Sequence, residues 1–337
     1  MWGINTLEDI QHFYDPFDKM TFTYDKCFLC GSQLSDENRT DEHIYPKWLQ
    51  NMFNLWDKEL ILLNRTSIKY MHLKIPCCKS CNGKMSALFE KPIERAVSGG
   101  YDELITLDRN IIFLWLNKMS YGMLFKELSL DLSRREPERG KICTVDFLKE
   151  SQMQYLFLQT ILTNGSYTGN PYSMLIFRID PCDIESYWAH DNPFLKTFFI
   201  RMSNIGIITS LMDNGFNESF FLQFPDMEQL LHKMLHPIQF AEICAKFLYK
   251  CSLFYRNPSY IMMMDDEQKP EMILSQGMSG YGYDDWSQQG YASVLAYFWE
   301  PYGLKIDDIY QGDDKVLSLL YREDGSFNDM INNDNSK

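Results

Sequence analysis

The chain has 337 residues, 45 % of them hydrophobic, 15 % aromatic and 23 % charged. That length fits two domains of ordinary size, and that composition excludes a globally disordered polypeptide. Thirty-two basic residues against 46 acidic ones leave a net charge of −14, which argues against a protein that coats nucleic acid or anionic membrane through bulk charge.

No run approaches about 18 uninterrupted apolar residues, so no membrane span is expected. The most apolar helical region, Ile111 to Phe125, is broken by Asn117 and Lys118. The opening MWGINTLEDI has no basic segment followed by an apolar one, so no secretory signal is expected and the location is read as cytoplasmic. Nine cysteines without an export signal then read as thiols or metal ligands rather than a disulfide framework. Five fall between Cys27 and Cys81, while Cys143, Cys182, Cys244 and Cys251 are scattered and read as ordinary buried residues.

In chain order, residues 1–25 read as an irregular acidic and aromatic lead-in. Residues 26–98 carry eleven Lys/Arg and eight Asp/Glu, a local balance of +3, and predict a small, loop-rich domain held by metal. The paired glycines of SGGYDEL at 98–104 mark a linker. Apolar residues at Ile112, Leu116, Met119, Met123, Leu124 and Leu128 step by three and four, predicting a helix over 109–133. A second helix is predicted over 145–162. Strands follow at 172–179, 196–203, 206–212 and 218–224, separated by turn residues. Helical pattern returns over 227–254 with an interruption near Pro237; 264–293 reads as a long loop and 326–337 as a disordered tail. Residues 99–325 are thus expected to form an acidic, helix-rich α+β domain.

Two Cys-x-x-Cys pairs, Cys27–Cys30 followed by Gly31 and Cys78–Cys81, stand 47 residues apart. Each supplies two thiolates from a tight turn, and together they complete a tetrahedral zinc site; the competing reading is a redox pair or coincidental core cysteines. The interval is too long for a simple zinc ribbon and contains DEHIYPKWL at 41–49. CNGKMSALFE at 81–90 begins on the last of the four cysteines.

The ordered set C-x-x-C-G, D-E-H-I-x-P-K-W-L and C-x-x-C-N-x-x-x-S-x-L-x-E resembles the zinc-bearing branch of the HNH endonuclease family, over about residues 26–92. The resemblance implies a ββα-metal core, two strands and a helix around one catalytic divalent ion. Glu42 and His43 would lie at the end of the first strand and Asn82 at the start of the helix. Histidine titrates nearest neutrality, which suits His43 as general base. A carboxylate and an amide oxygen are hard ligands for Mg²⁺ or Mn²⁺, which Glu42 and Asn82 supply together. Cys27, Cys30, Cys78 and Cys81 would hold structural zinc, since four thiolates leave no open position for water.

Each residue has a plainer reading. His43 alone reads as a partly buried, satisfied histidine. Glu42 reads as a solvated acid, with Asp41 as the ligand instead. Asn82 reads as a helix cap. Glu90 either supports the site from behind or pairs with a structural neighbour. Lys47 and Lys84 either touch phosphates or are ordinary surface lysines. Many family members orient the histidine through an Asn nine residues before the metal-binding residue; here Leu73 stands there, so Asn64 or a backbone group takes that part. His232 and His236, and the aromatics Tyr281, Tyr283 and Trp286, are weaker ligand candidates. Asp265, Asp266 and Glu267 read as solvated.

The expectation is therefore an α+β protein with an N-terminal HNH domain that hydrolyses DNA, by resemblance an effector of bacterial anti-phage defence. Its residues 99–325 would dimerise, dock a partner protein or sense a ligand. The alternatives are a zinc-binding interaction module without catalysis, and an RNase.

Overall fold

The computed structural model describes residues 23–163, 166–182, 184–255, 258–264, 270–275 and 282–333. It is a mixed α/β structure. The chain runs through β1 (Arg39–His43), α1 (Lys47–Met52), the hairpin β2 (Glu59–Ile61) and β3 (Ser67–Lys69), and β4 (Lys74–Cys78). It continues as α2 (Lys79–Met85), a π-helical turn at Ser86–Glu90, α3 (Lys91–Gly99) and α4 (Tyr101–Leu104). Next come α5 (Arg109–Glu127), α6 (Val145–Lys149), α7 (Gln152–Thr163), β5 (Ser166–Thr168), β6 (Ser173–Ile179), β7 (Tyr187–Asn192), β8 (Thr197–Met202) and β9 (Ile205–Ser210). The remainder holds α8 (Phe216–Phe221), α9 (Pro225–Leu230), β10 (Met234–Leu235), α10 (Pro237–Ser252), β11 (Tyr260–Met264), β12 (Pro270–Ser275) and α11 (Gln288–Trp299).

Two compact units share these elements. The first comprises residues 1–95, 107–169 and 259–276; the second comprises 96–106, 170–258 and 277–337. The first unit therefore extends well past residue 98. The physical reason is burial: a stretch of some 70 residues is too small to cover its own apolar side chains, and α5 and α7 supply the missing surface. Thirteen of the fourteen positions from Ile112 to Phe125 of α5, Trp115 among them, are buried. In this unit β1 pairs antiparallel with β4, with Glu42 opposite Ile75 and His43 opposite Lys74, and β4 leads directly into α2. Gly122 of α5 lets the helix approach this ribbon, because a Cβ there would lie 3.3 Å from the Ile44 side chain.

The second unit is built on a five-stranded sheet of order β10-β6-β9-β8-β7. Strands β6 to β9 are antiparallel, and β10 joins β6 in parallel. All of β8 and β9 is buried, and their sequences are largely apolar without strict alternation, with Thr197, Arg201, Thr209 and Ser210 among the buried positions. α10 and α11 pack together over the sheet through Phe240, Phe247, Leu295 and Trp299.

Several expectations are corrected. The segment 218–224 is not a strand: Phe216–Phe221 is helical, opened by Asp213, whose carboxylate accepts the Gly215 and Asn217 N–H groups. The helix predicted to 133 ends at Glu127, where the chain folds back and Ile142 N–H bonds the Leu130 carbonyl. The single helix over 145–162 is two, with Thr144 capping the first and the Ser151 carbonyl opening the second. The half-polar YWAHDN forms β7, an edge strand the pattern does not reveal. The expected loop over 264–293 holds β12 and the start of α11. Within the expected tail, Asn328 accepts a hydrogen bond from Gln239 of α10 at its carbonyl, and Met330–Asn333 forms a helical turn. Residues 1–22 of the lead-in, Asp265, Asp266, Glu267 and Tyr281, and residues 334–337 lie outside the described residues.

Candidate functional site

The first cysteine pair sits in a tight turn. Gly31 takes φ +69°, its N–H bonds the Cys27 carbonyl, and Cys27 N–H bonds the Ser32 carbonyl. Only a residue tolerant of left-handed backbone fits there. The turn is tethered to α7, since the Leu29 carbonyl accepts the Tyr155 hydroxyl at 2.7 Å and the Gln159 amide. The second pair straddles the start of α2: Cys78 caps the helix by accepting the Cys81 N–H at its sulfur.

The fold brings the four Sγ atoms of Cys27, Cys30, Cys78 and Cys81 within 4.8 Å of one another, with Cys30 and Cys78 3.8 Å apart. A tetrahedron with Zn–S bonds of about 2.3 Å has edges of about 3.8 Å, so the donor set fits zinc. Hydrogen bonds from Cys27, Cys30 and Cys81 hold the Cys78 thiol far below its ordinary range, while those three thiols are held above theirs, so the cluster without a cation concentrates its negative charge on Cys78. Cys77, the fifth cysteine here, lies 4.0 Å from Cys27 and turns its sulfur toward the Cys78 carbonyl. All nine cysteines are free thiols.

A cavity of about 330 Å³ opens beside this centre, lined by Asp41, Glu42, His43, Lys47, Asn82 and Glu90 among others. Six of the sequence-derived candidates therefore meet at one place, although 49 residues separate the first from the last of them. Glu42 and His43 end β1, where alternation sends them to opposite faces. Glu42 meets α5, and the His43 ring stacks on Trp56 at 6.0 Å. Asn82, one turn into α2, donates its amide N–H to Thr40 Oγ1 at 3.1 Å, which leaves the amide oxygen as the atom for a cation. Asp41 is exposed at the rim, 3.9 Å from Arg39. Lys91, Glu94, Ser86 and Trp48 complete the lining.

Lys118 underlies this cavity, a residue whose part the sequence does not disclose. Its side chain is completely buried. The ammonium contacts the Glu42 carboxylate directly, Glu90 at 2.9 Å, the His43 carbonyl at 2.7 Å and the Ile44 carbonyl at 3.2 Å. Burial opposes the charge, but Glu42 and Glu90 outweigh it and hold the lysine pKa above its ordinary value. One ammonium neutralises one of the two carboxylates in full. Burial, opposed by Lys118 and reinforced by Glu90, accordingly pushes Glu42 up to about 7. For Glu90, the ion pair is therefore what the structure shows.

Burial, then the nearby Lys74, Lys47 and Lys118, pull the His43 imidazole down to about 4. The ring is neutral at physiological pH. Its Nε2 is buried and has no hydrogen-bond partner, so a lone pair or proton is uncommitted there. Four carboxylates and an amide face two lysines around the cavity. Such oxygen donors suit a hard divalent ion. The carboxylates and His43 do not converge as the cysteines do: among the described residues, only the four cysteines form a close group of three or more His, Cys, Asp or Glu ligands.

Other candidates are placed elsewhere. Lys84 does not line the cavity; its Nζ lies 3.5 Å from the Leu162 carbonyl. Asn64 does not contact His43: its amide serves Thr66 and the Leu132 carbonyl. His232 and His236 do not share a helix: His236 caps α10 through Nδ1, and β10 intervenes. Tyr283 and Trp286 anchor their loop, Tyr283 through Asn217 at 2.8 Å and Trp286 against Tyr249.

No family model, curated protein or solved structure matches the chain. Among the described residues no helix is long and apolar enough to cross a membrane.

Proposed function

We propose that the chain is a metal-dependent endonuclease of the HNH kind, hydrolysing phosphodiester bonds in DNA. The observation that carries this reading is the meeting of Glu42, His43 and Asn82 at one acidic cavity, on an antiparallel strand pair that runs into a helix. That order of elements is the one the motif resemblance implies.

Each side chain has a part. Neutral His43 takes the proton of the attacking water. Glu42 and Asn82 hold Mg²⁺ or Mn²⁺, which when bound neutralises phosphate charge and stabilises the leaving oxygen. Two protein ligands are enough for such an ion, because Mg²⁺ keeps waters and takes the rest of its shell from substrate phosphate. Lys47 and Lys91 at the rim contact non-bridging oxygens. Asp41 offers an alternative carboxylate to Glu42. Zinc on Cys27, Cys30, Cys78 and Cys81 fixes the start of α2, and so the position of Asn82.

By the resemblance, products carry 5′-phosphate and 3′-hydroxyl ends. One such cavity cuts one strand, so a double-strand break needs two copies or two sequential nicks. The proposal carries with it a cytoplasmic enzyme, in keeping with nine free thiols, acting in defence against phage. The second unit would regulate it by self-association, a partner protein or a ligand; most of the chain's negative charge lies beyond residue 98, against a balance of +3 over residues 26–98.

The contact of Lys118 with Glu42 favours a second reading, in which the carboxylate is spent internally and the unit is a zinc-stabilised interaction module. Supercoiled plasmid and single-stranded RNA, each incubated with the protein and Mg²⁺ or Mn²⁺, distinguish the readings. Metal-dependent nicking of plasmid supports the proposal; cleavage of RNA alone replaces DNA with RNA as substrate; intact substrates under every condition support the interaction module.

A further inference from the structure

Arg201 is the second unit's anomaly. It sits on β8, between Trp188 of β7 and Gly206 of β9, and is 6 % exposed. Its guanidinium donates to the Glu185 carbonyl and meets the Tyr302 hydroxyl. Its Nε is buried with no hydrogen-bond partner. Among the described residues no carboxylate lies within ion-pair distance of it. Lys118 shows the contrast, a buried cation held by two carboxylates; Arg178 pairs with Asp102 at 2.5 Å. A buried cation with a vacant donor and no counter-charge among the described residues is heavily penalised.

The arginine faces a cavity of about 310 Å³, whose remaining wall is largely apolar: Trp188, Phe240, Ala241, Phe298, Pro301 and Tyr302. Trp188 and Phe298 meet edge to face at 5.8 Å, giving flat surfaces beside the charge. Glu185 belongs to the lining and is an exposed residue, and its backbone carbonyl accepts from the guanidinium. An apolar enclosure with one convergent charged group is the usual form of a small-molecule site, and the arginine fork matches a carboxylate or phosphate in two-point contact.

We propose that this cavity binds a small planar ring bearing an anionic head group, the head on Arg201 and the ring lying against the Trp188 and Phe298 side chains that line the cavity. The anion supplies the counter-charge that no described residue gives Arg201. Nothing in this depends on what the first unit does.

The full chain is titrated by calorimetry with indole-3-carboxylate and with phenyl phosphate, beside the uncharged indole-3-carboxamide and phenol and the ringless inorganic phosphate. At least one ring-bearing anion is expected to bind at one per chain, at least tenfold more tightly than its uncharged counterpart and than inorganic phosphate. Which of the two binds assigns the head group as carboxylate or phosphate. Arg201→Gln is expected to lose that preference, and Trp188→Ala to weaken the anion at least tenfold with Arg201 intact, which keeps the test open if Arg201→Gln does not fold. Equal binding of charged and uncharged rings, undiminished binding by Arg201→Gln, or no binding by either anion would overturn the proposal.

Discussion

The Lys118 ammonium lies 2.7 Å from the carbonyl oxygen of His43, so a cation on α5 holds the backbone of the very residue proposed as the base. The same ammonium meets Glu42 and Glu90. It therefore joins the strand end, the π-helical turn and α5 into one network with no water-exposed member at its centre.

Removing this charge leaves the buried Glu42 and the partly buried Glu90 carboxylates uncompensated, which is the costly way to break a buried ion pair. Lys118→Met is expected to lower unfolding stability by about 3–5 kcal/mol, read from the urea midpoint. Adding Glu42→Gln and Glu90→Gln to Lys118→Met should recover most of the loss, because the network is then neutral. A Lys118→Met protein as stable as wild type would show that the network contributes nothing.

The two halves of the site differ in how far the sequence discloses them. The cysteine pairs, Glu42–His43 and Asn82 are legible because their chemistry is carried by local spacing: each sits in a turn or at an element end that neighbouring residues define. Lys118 is not legible. A lysine inside an apolar run reads as an interruption of the run, and its partners Glu42 and Glu90 lie 76 and 28 residues away. The same limit explains 218–224. Its alternation is too short to separate a strand from a helix, and what decides is Asp213 and Ser173 accepting the N–H groups of Asn217 and Glu218 at the helix start. Only the fold brings Ser173 there.

Cys77 tests the zinc assignment more sharply than any of the four ligands. It is next to Cys78 in sequence and 4.0 Å from Cys27, yet lies outside the four-sulfur group. Cys77→Ser is expected to keep one zinc per chain by elemental analysis, and Cys78→Ser to lose it together with much of the thermal stability, since zinc binding is folding free energy. Zinc lost from Cys77→Ser and kept by Cys78→Ser would exchange their roles.

Glu127 is expected to make stability depend on pH. It is 2 % exposed and accepts the Leu63 N–H at 2.9 Å; burial pushes it up to about 7, the backbone hydrogen bond opposing. A carboxyl whose folded pKa is raised contributes stability that is complete below its unfolded value near 4.5 and is lost as pH rises through about 7. Glu127→Gln keeps an acceptor for Leu63 and removes the titration. It should therefore unfold at a higher temperature than wild type at pH 8, with a gain of up to about 3 kcal/mol, and show little difference at pH 5. An equal difference at both pH values would mean that the carboxyl stays ionised throughout.

The central claim rests on His43 as the base of a metal-dependent cut. Nicking of supercoiled plasmid by wild type and by His43→Ala, each loaded with zinc and given Mn²⁺, tests it directly. The account predicts that His43→Ala keeps its zinc and its melting temperature within a few degrees while nicking falls by about 100-fold or more. Equal nicking by the two proteins would contradict it.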